Sequence, residues 1–126
     1  MDSTIVYLVI AALIAALYIR KTLQMRGIPQ YTPEEARSRM QQGSVLLDVR
    51  TPAERKQRSI NGSLHIPLHE LGSKMKSLER HRSREVIVYC ASGSRSRMAA
   101  VQLKKAGFSA ANLKGGIGAW NFSHHA

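Results

Sequence analysis

The sequence predicts an α/β domain with a mainly parallel central sheet flanked by helices, preceded by one transmembrane helix. Val45–Val49 and Val86–Tyr89 are continuously apolar, as parallel strands buried on both faces are, and do not alternate like half-exposed ones. Helix-type stretches separate these runs, and strands alternating with helices assemble into parallel sheets covered on both sides. Residues 4–19 carry no charge at all, which sets the N-terminal segment apart from everything after it.

Each element follows in chain order. The 4–19 run spans about 24 Å at ~1.5 Å per residue, near the short end for a bilayer crossing. Tyr7 and Tyr18 lie toward its two ends, as in an interfacial aromatic belt. A cleaved signal needs basic residues before the apolar core and small residues after it. Here the leader is Met1-Asp2-Ser3 and the exit carries Arg20, Lys21 and Arg26, so an anchor is the preferred reading. Lys and Arg stay cytoplasmic, which places the N-terminus outside and the domain inside. Residues 1–26 thus form the anchor and its basic flank. Residues 27–31 read as a linker, since Pro29 disfavours helix at Ile28, and 32–126 as the domain.

Thr32-Pro33-Glu34-Glu35 is a capping box with Pro at the first helical position, opening a helix to about Gln42. Val45–Val49 is a buried strand, and Thr51-Pro52 caps a short helix through Gln57. Leu64–Ile66 is a short strand at best. Leu68, Leu71, Met75 and Leu78 fall at the spacing of one helical face. Val86–Tyr89 is the second buried strand, 97–106 a helix stopped by Gly107, and Ala111–Leu113 a third strand.

At 126 residues there is room for one small domain plus an extension. The formal charge is +11, from 19 Lys and Arg against 8 Asp and Glu, so the surface attracts anions. Lys74, Lys76, Arg80, Arg82 and Arg84 are its densest run and read as a solvated face. No aromatics interleave with it as a single-strand stacking platform requires, so no specific nucleic acid is predicted. The lone cysteine excludes an intrachain disulfide, a Cys-pair metal site and a resolving thiol, and an unpaired thiol belongs in a reducing compartment.

That cysteine carries the functional signal. Cys90 ends a buried strand and enters the loop Ala91-Ser92-Gly93-Ser94-Arg95-Ser96, which leads into a helix. Small residues let successive amides turn inward, and the helix adds its positive end, so the loop cradles an anion. The same field, with Arg95 alongside, favours thiolate over thiol. The alternative is a structural buried cysteine, but the loop composition favours a nucleophile. Asp48 and Arg50 flank Val49 at a strand end and read as an ion pair that supports the structure. His65 and His69 are four apart, but Pro67 between them prevents one helix and no further ligands are in view, so no metal is predicted. Trp120 reads as a core or lid aromatic, and His124 and His125 as a fraying tail.

Spacing narrows the chemistry. Arg95 follows Cys90 by five positions, a ring that suits one extra sulfur better than a whole phosphate tetrahedron. Cys90, Gly93 and Arg95 resemble the C-x-x-G-x-R loop of single-domain members of the rhodanese (sulfurtransferase) family. Leu46–Glu54 resembles its D-V-R-x-P-x-E segment, Ile60–Leu68 its I-x-G-A-x-N-I-P-L segment, and Gly115–Trp120 its closing G-G-x-x-A-W. The landmarks cover about residues 31–122 in the expected order. Arg58-Ser59 replaces the usual Gly-His, and His65 the usual Asn.

The resemblance implies a rhodanese-like fold and a membrane-anchored sulfurtransferase. Sulfane sulfur would pass from a small anionic donor such as thiosulfate, through a Cys90 persulfide, to a thiol or protein acceptor, with residues 91–96 binding the donor. Two half-reactions sharing one covalent intermediate are ping-pong, and no cofactor is required. In the family the Asp48–Arg50 pair is taken to brace the active-site region. The other readings are a sulfur carrier or docking module for a partner protein and, less favoured by the spacing, a Cys-dependent phosphatase or arsenate reductase.

Overall fold

A computed structural model describes residues 2–124, so the expectations on Met1 and His125 lie outside the described residues. Five parallel strands form one sheet in the order β1-β5-β4-β2-β3. They are β1 Gln30–Tyr31, β2 Val45–Asp48, β3 Leu64–His65, β4 Val86–Tyr89 and β5 Ala110–Leu113. The helices are α1 Ser3–Arg26, α2 Pro33–Gln41, α3 Pro52–Gln57, α4 Ser94–Lys105 and α5 Gly116–His124.

The central strands are apolar because both faces are covered. Leu47, Val49, Val88 and Cys90 point to one side, where Ala99, Ala100 and Leu103 of α4 pack on them. Leu46, Ile87 and Tyr89 point to the other, against Ala36 of α2 and Ile117 of α5. Alternation along β4 therefore sends Tyr89 and Cys90 to opposite faces of the sheet. Both predicted capping threonines cap, Thr32 Oγ1 accepting from the Glu35 amide and Thr51 Oγ1 from the Glu54 amide, each at 3.2 Å, but the box expected at Thr32 is half formed, the Glu35 carboxylate accepting from the Thr32 hydroxyl instead of its amide. Glu54 completes the box by accepting from the Thr51 amide at 3.1 Å.

Several elements differ from expectation. Gln30 and Tyr31, read as the end of a linker, form edge strand β1 and pair with Asn112 and Leu113 of β5, while Ile28 is buried in the core. A two-residue strand after Pro29 carries no periodicity of its own, and the neighbouring strand imposes its conformation. The Leu68–Leu78 face is not one helix but two 3-10 segments, Leu68–Glu70 and Met75–His81. Leu71 and Leu78 are nonetheless buried there. Helix α4 begins at Ser94, three residues before the predicted start, which places Arg95 and Ser96 in its first turn.

Helix α1 is long and apolar enough to cross a membrane over Ser3–Leu23, by length and composition, and none of that span is buried. Its lower part meets α4, and Lys104 Nζ donates to the Gly27 carbonyl at 3.2 Å, tying the foot of α1 to that helix.

Candidate active site

Cys90 follows β4 at the carboxyl end of the sheet, where parallel α/β sheets place their sites. Its side chain is fully buried, enclosed by the loop that follows. The Gly93 amide donates to Sγ at 3.0 Å, and the Ser96 hydroxyl lies 3.4 Å away. Burial pushes the thiol up, but the Ser96 hydroxyl and the amides of Ser96, Gly93 and Ser92 outweigh it and hold Cys90 below the ordinary thiol range. Inward-turned amides and a helix start thus favour the thiolate, as the loop composition predicted.

Two glycines make the loop possible. Gly93 caps α4 at φ +113°, a left-handed conformation that side chains rarely adopt, and this turns its amide onto the sulfur. Gly116, at φ +63°, lies directly behind the loop, and a Cβ there would stand 2.5 Å from the Cys90 and Ala91 carbonyl oxygens. Its closeness lets the Ile117 amide donate to the Cys90 carbonyl at 2.9 Å and the Gly118 amide to the Ala91 carbonyl at 3.4 Å. The start of α5 therefore holds the loop carbonyls outward, leaving the amides facing the thiol. Trp120 lies on the α2 side, with Arg37 stacked 4.2 Å above its ring. It is a packing residue there.

Ser96 is oriented from β5. Its hydroxyl donates to Asn112 Oδ1 at 2.5 Å and lies 3.2 Å from the Gly93 carbonyl, while Asn112 Nδ2 donates to Gln30 Oε1 at 2.8 Å and to the Gly93 carbonyl at 3.3 Å. Asn112 is buried and was not singled out in the sequence, where nothing about one Asn in a strand distinguishes it.

Arg95 was expected beside the thiol. Its guanidinium holds Glu54 of α3 in a two-pronged ion pair, Nη1 to Oε1 at 2.7 Å and Nη2 to Oε2 at 2.8 Å. The Glu54 carboxyl is held down to about 2, chiefly by Arg95. Glu54, and more weakly the charge and hydrogen bonding of Cys90, keep the Arg95 guanidinium firmly protonated. Amides and the Ser96 hydroxyl therefore do most to stabilise the thiolate, with Arg95 shared between carboxylate and sulfur.

Asp48 and Arg50 do pair, on the opposite face of the sheet from Cys90. Asp48 is fully buried and accepts from the Arg50 amide, Nε and Nη2 at 2.9, 3.0 and 2.9 Å. It also accepts from Arg55 Nη1 and the Tyr89 hydroxyl, both at 3.1 Å. Burial raises the Asp48 carboxyl, but the Arg50 and Arg55 contacts more than offset it and lower it on balance. Arg50 also donates to the Arg58 carbonyl at 2.7 Å and the Glu54 carbonyl at 3.5 Å. Asp48 thus fixes Arg50, Arg50 fixes the backbone of α3, and α3 presents Glu54 to Arg95. His65, standing where the family pattern has Asn, places Nε2 2.8 Å from the Arg50 carbonyl and joins the same scaffold.

Known proteins share this fold. The rhodanese-like domain family matches residues 32–123. The thiosulfate sulfurtransferase GlpE of Pseudomonas fluorescens is 30% identical over 103 residues, covering 81% of this chain and 93% of that protein. YqhL of Bacillus subtilis is 35% identical over 121 residues, 95% of this chain and 94% of its own length. A rhodanese-related protein of Thermoplasma volcanium superposes with a TM-score of 0.69 at 33% identity, over 75% of this chain and 92% of that one. Some other relatives are longer, and the chain spans only 24% of an adenylyltransferase/sulfurtransferase from Mycobacterium tuberculosis. With a parallel sheet, a cysteine loop at its carboxyl end and sulfurtransferase relatives, the chain belongs to the rhodanese-like domain family.

Proposed function

We propose that the protein is a membrane-anchored sulfurtransferase that carries sulfane sulfur on Cys90. The observation that carries this reading is the Cys90 sulfur ringed by the Gly93 amide and the Ser96 hydroxyl, with its pKa lowered despite full burial. The thiolate attacks the outer sulfur of thiosulfate. The sulfur–sulfur bond of the donor breaks, sulfite leaves with the bonding pair, and a Cys90 persulfide anion remains. A thiophilic acceptor, cyanide in an assay or a thiol or protein in the cell, then attacks the terminal sulfur and returns Cys90 as thiolate. The loop amides of residues 91–96 stabilise the persulfide anion without reorganising. Arg95, fixed by Glu54, presents its remaining N–H groups to the anionic donor.

Intact mass after thiosulfate treatment gains one sulfur atom, and cyanide removes it. Cys90→Ser keeps the fold and abolishes both steps. A sulfur gain in Cys90→Ser, or turnover above about one per cent of the parent, refutes the nucleophile assignment. Loading by thiosulfate without release to cyanide favours the carrier reading over the catalyst.

Helix α1 supplies the anchor in this proposal, with the domain on the cytoplasmic side. The support is its wholly exposed apolar surface and the cations Arg20 and Lys21 at its lower end. A membrane-impermeant amine reagent then spares the domain lysines in intact cells and modifies them after lysis. Labelling of those lysines in intact cells overturns the inward orientation.

A further inference from the structure

A cavity of about 770 Å³ opens between the lower part of α1 and the exposed face of α4. Its volume falls in the ~300–1,000 Å³ range of small-molecule sites. The apolar floor is made by Leu17, Met98 and Val101, and Arg20, Lys21, Arg97 and Lys105 line it as well. No carboxylate lines it, and among the described residues none of these four cations is ion-paired. Met98 is 59% exposed, whereas Ala99, Ala100 and Leu103 of the same helix are buried. A large apolar side chain left open in a cavity lined by four unpaired cations calls for an amphiphile with a negative head.

We propose that this cavity binds one anionic phospholipid of the leaflet at the foot of α1, its phosphate held by Arg97, Lys105, Arg20 and Lys21 and its acyl chain lying on Leu17, Met98 and Val101. The inference rests on the anchor reading of α1, which brings Leu17 and Arg20 to the depth where acyl chains meet headgroups. A free phosphate satisfies the cations but leaves the apolar floor wet. A neutral lipid covers the floor but leaves the cations unanswered. Only a lipid that is both anionic and acylated matches the two parts together. Arg97 lies on α4, the helix that begins in the Cys90 loop, so the bound headgroup stands beside the active-site helix.

The test uses the full chain reconstituted into nanodiscs of phosphatidylcholine alone or with a minor fraction of phosphatidylglycerol, followed by mild extraction and native mass spectrometry. Phosphatidylglycerol is expected to remain bound in a saturable amount, and phosphatidylcholine is not. Arg97→Gln with Lys105→Gln, both outside α1, should lower that retention on the order of 25-fold, about fivefold per surface cation removed. The variant should integrate into membranes as fully as the parent, judged by resistance to an alkaline wash. Equal retention of the two lipids, undiminished retention in the double variant, or displacement by millimolar inorganic phosphate would each overturn the lipid site while leaving the anchor standing. Failure of the parent chain to resist the wash overturns the anchor, and the lipid site with it.

Discussion

Asp48→Asn separates bracing from chemistry. The substitution keeps the side-chain volume and one acceptor oxygen, but replaces Oδ2 with a donor. Asp48 Oδ2 accepts from Arg50 Nη2, Arg55 Nη1 and the Tyr89 hydroxyl, so the new amide faces three donors. Arg50 is 3% exposed and loses its counter-charge in place. Breaking a buried pair by removing one partner costs about 3–5 kcal/mol. A domain of this size has roughly 5–15 kcal/mol in total, and 1 kcal/mol moves its Tm by about 4–8 °C. The expected fall in Tm is therefore roughly 12–40 °C, read by thermal denaturation of the full chain in detergent. The pH dependence has a definite sign. The folded-state pKa of Asp48 lies below its ordinary value, so its stabilisation is complete above the ordinary carboxylate pKa and is lost as pH falls through the lowered one. The parent loses this contribution on acidification, and Asp48→Asn has none to lose. Because the network sits on the sheet face opposite Cys90, transfer per folded molecule should fall by less than about tenfold. A stability loss under about 1 kcal/mol with transfer abolished would refute the reasoning and make Asp48 part of the chemistry.

Two further outcomes follow from the loop. Ser96→Ala removes a hydroxyl that helps lower the Cys90 pKa; at one charged hydrogen bond of about 1.5 kcal/mol, loading by thiosulfate at neutral pH should slow roughly tenfold. The deficit should shrink as pH rises and both thiols ionise, and a pH–rate profile with a deficit independent of pH would show that Ser96 only packs. Gly116→Ala places a methyl 2.5 Å from the Cys90 and Ala91 carbonyls in a left-handed conformation, so the loop must move. Sulfur loading by mass should be largely lost while circular dichroism stays near that of the parent, and unimpaired loading would show that the α5 clamp is dispensable.

How much of this was legible in the chain depended on the range of the interaction. Both Thr caps, β4 and the cysteine at its end are written in consecutive residues and were found where expected, while the loop after Cys90 passes into α4 three residues early. Arg95 was legible as a loop cation but not as the partner of Glu54, which lies 41 positions away and meets it only because α3 is fixed over the loop. The Asp48–Arg50 pair was legible, being two residues apart. Tyr89 joined it through the parallel register that sets Asp48 beside it, and Arg55 from α3, neither of which a local pattern encodes. Edge strand β1 was missed because two residues are too few to show a period. The Leu68–Leu78 spacing fits a turn of three residues as readily as one of 3.6, and the 3-10 form prevailed. Gly116 was visible within a family-like motif, yet its closeness to the loop carbonyls required coordinates.

The sheet order also governs how the protein comes into being. Strand β5 lies between β4 and β1, and the Gln30 side chain waits for a partner 82 residues later. During synthesis β2 and β4 can pair first, but the sheet cannot close until residue 113 has emerged, and β1 joins last. Non-local parallel pairing of this kind is slow to form and exposed while it forms. A chain halted before residue 110 presents the open edge of β4, whose residues Val86, Ile87, Val88 and Tyr89 carry no charge to repel a neighbour. Nascent chains stalled in that window are the species prone to aggregate, and any truncation ending between β4 and β5 inherits the same hazard.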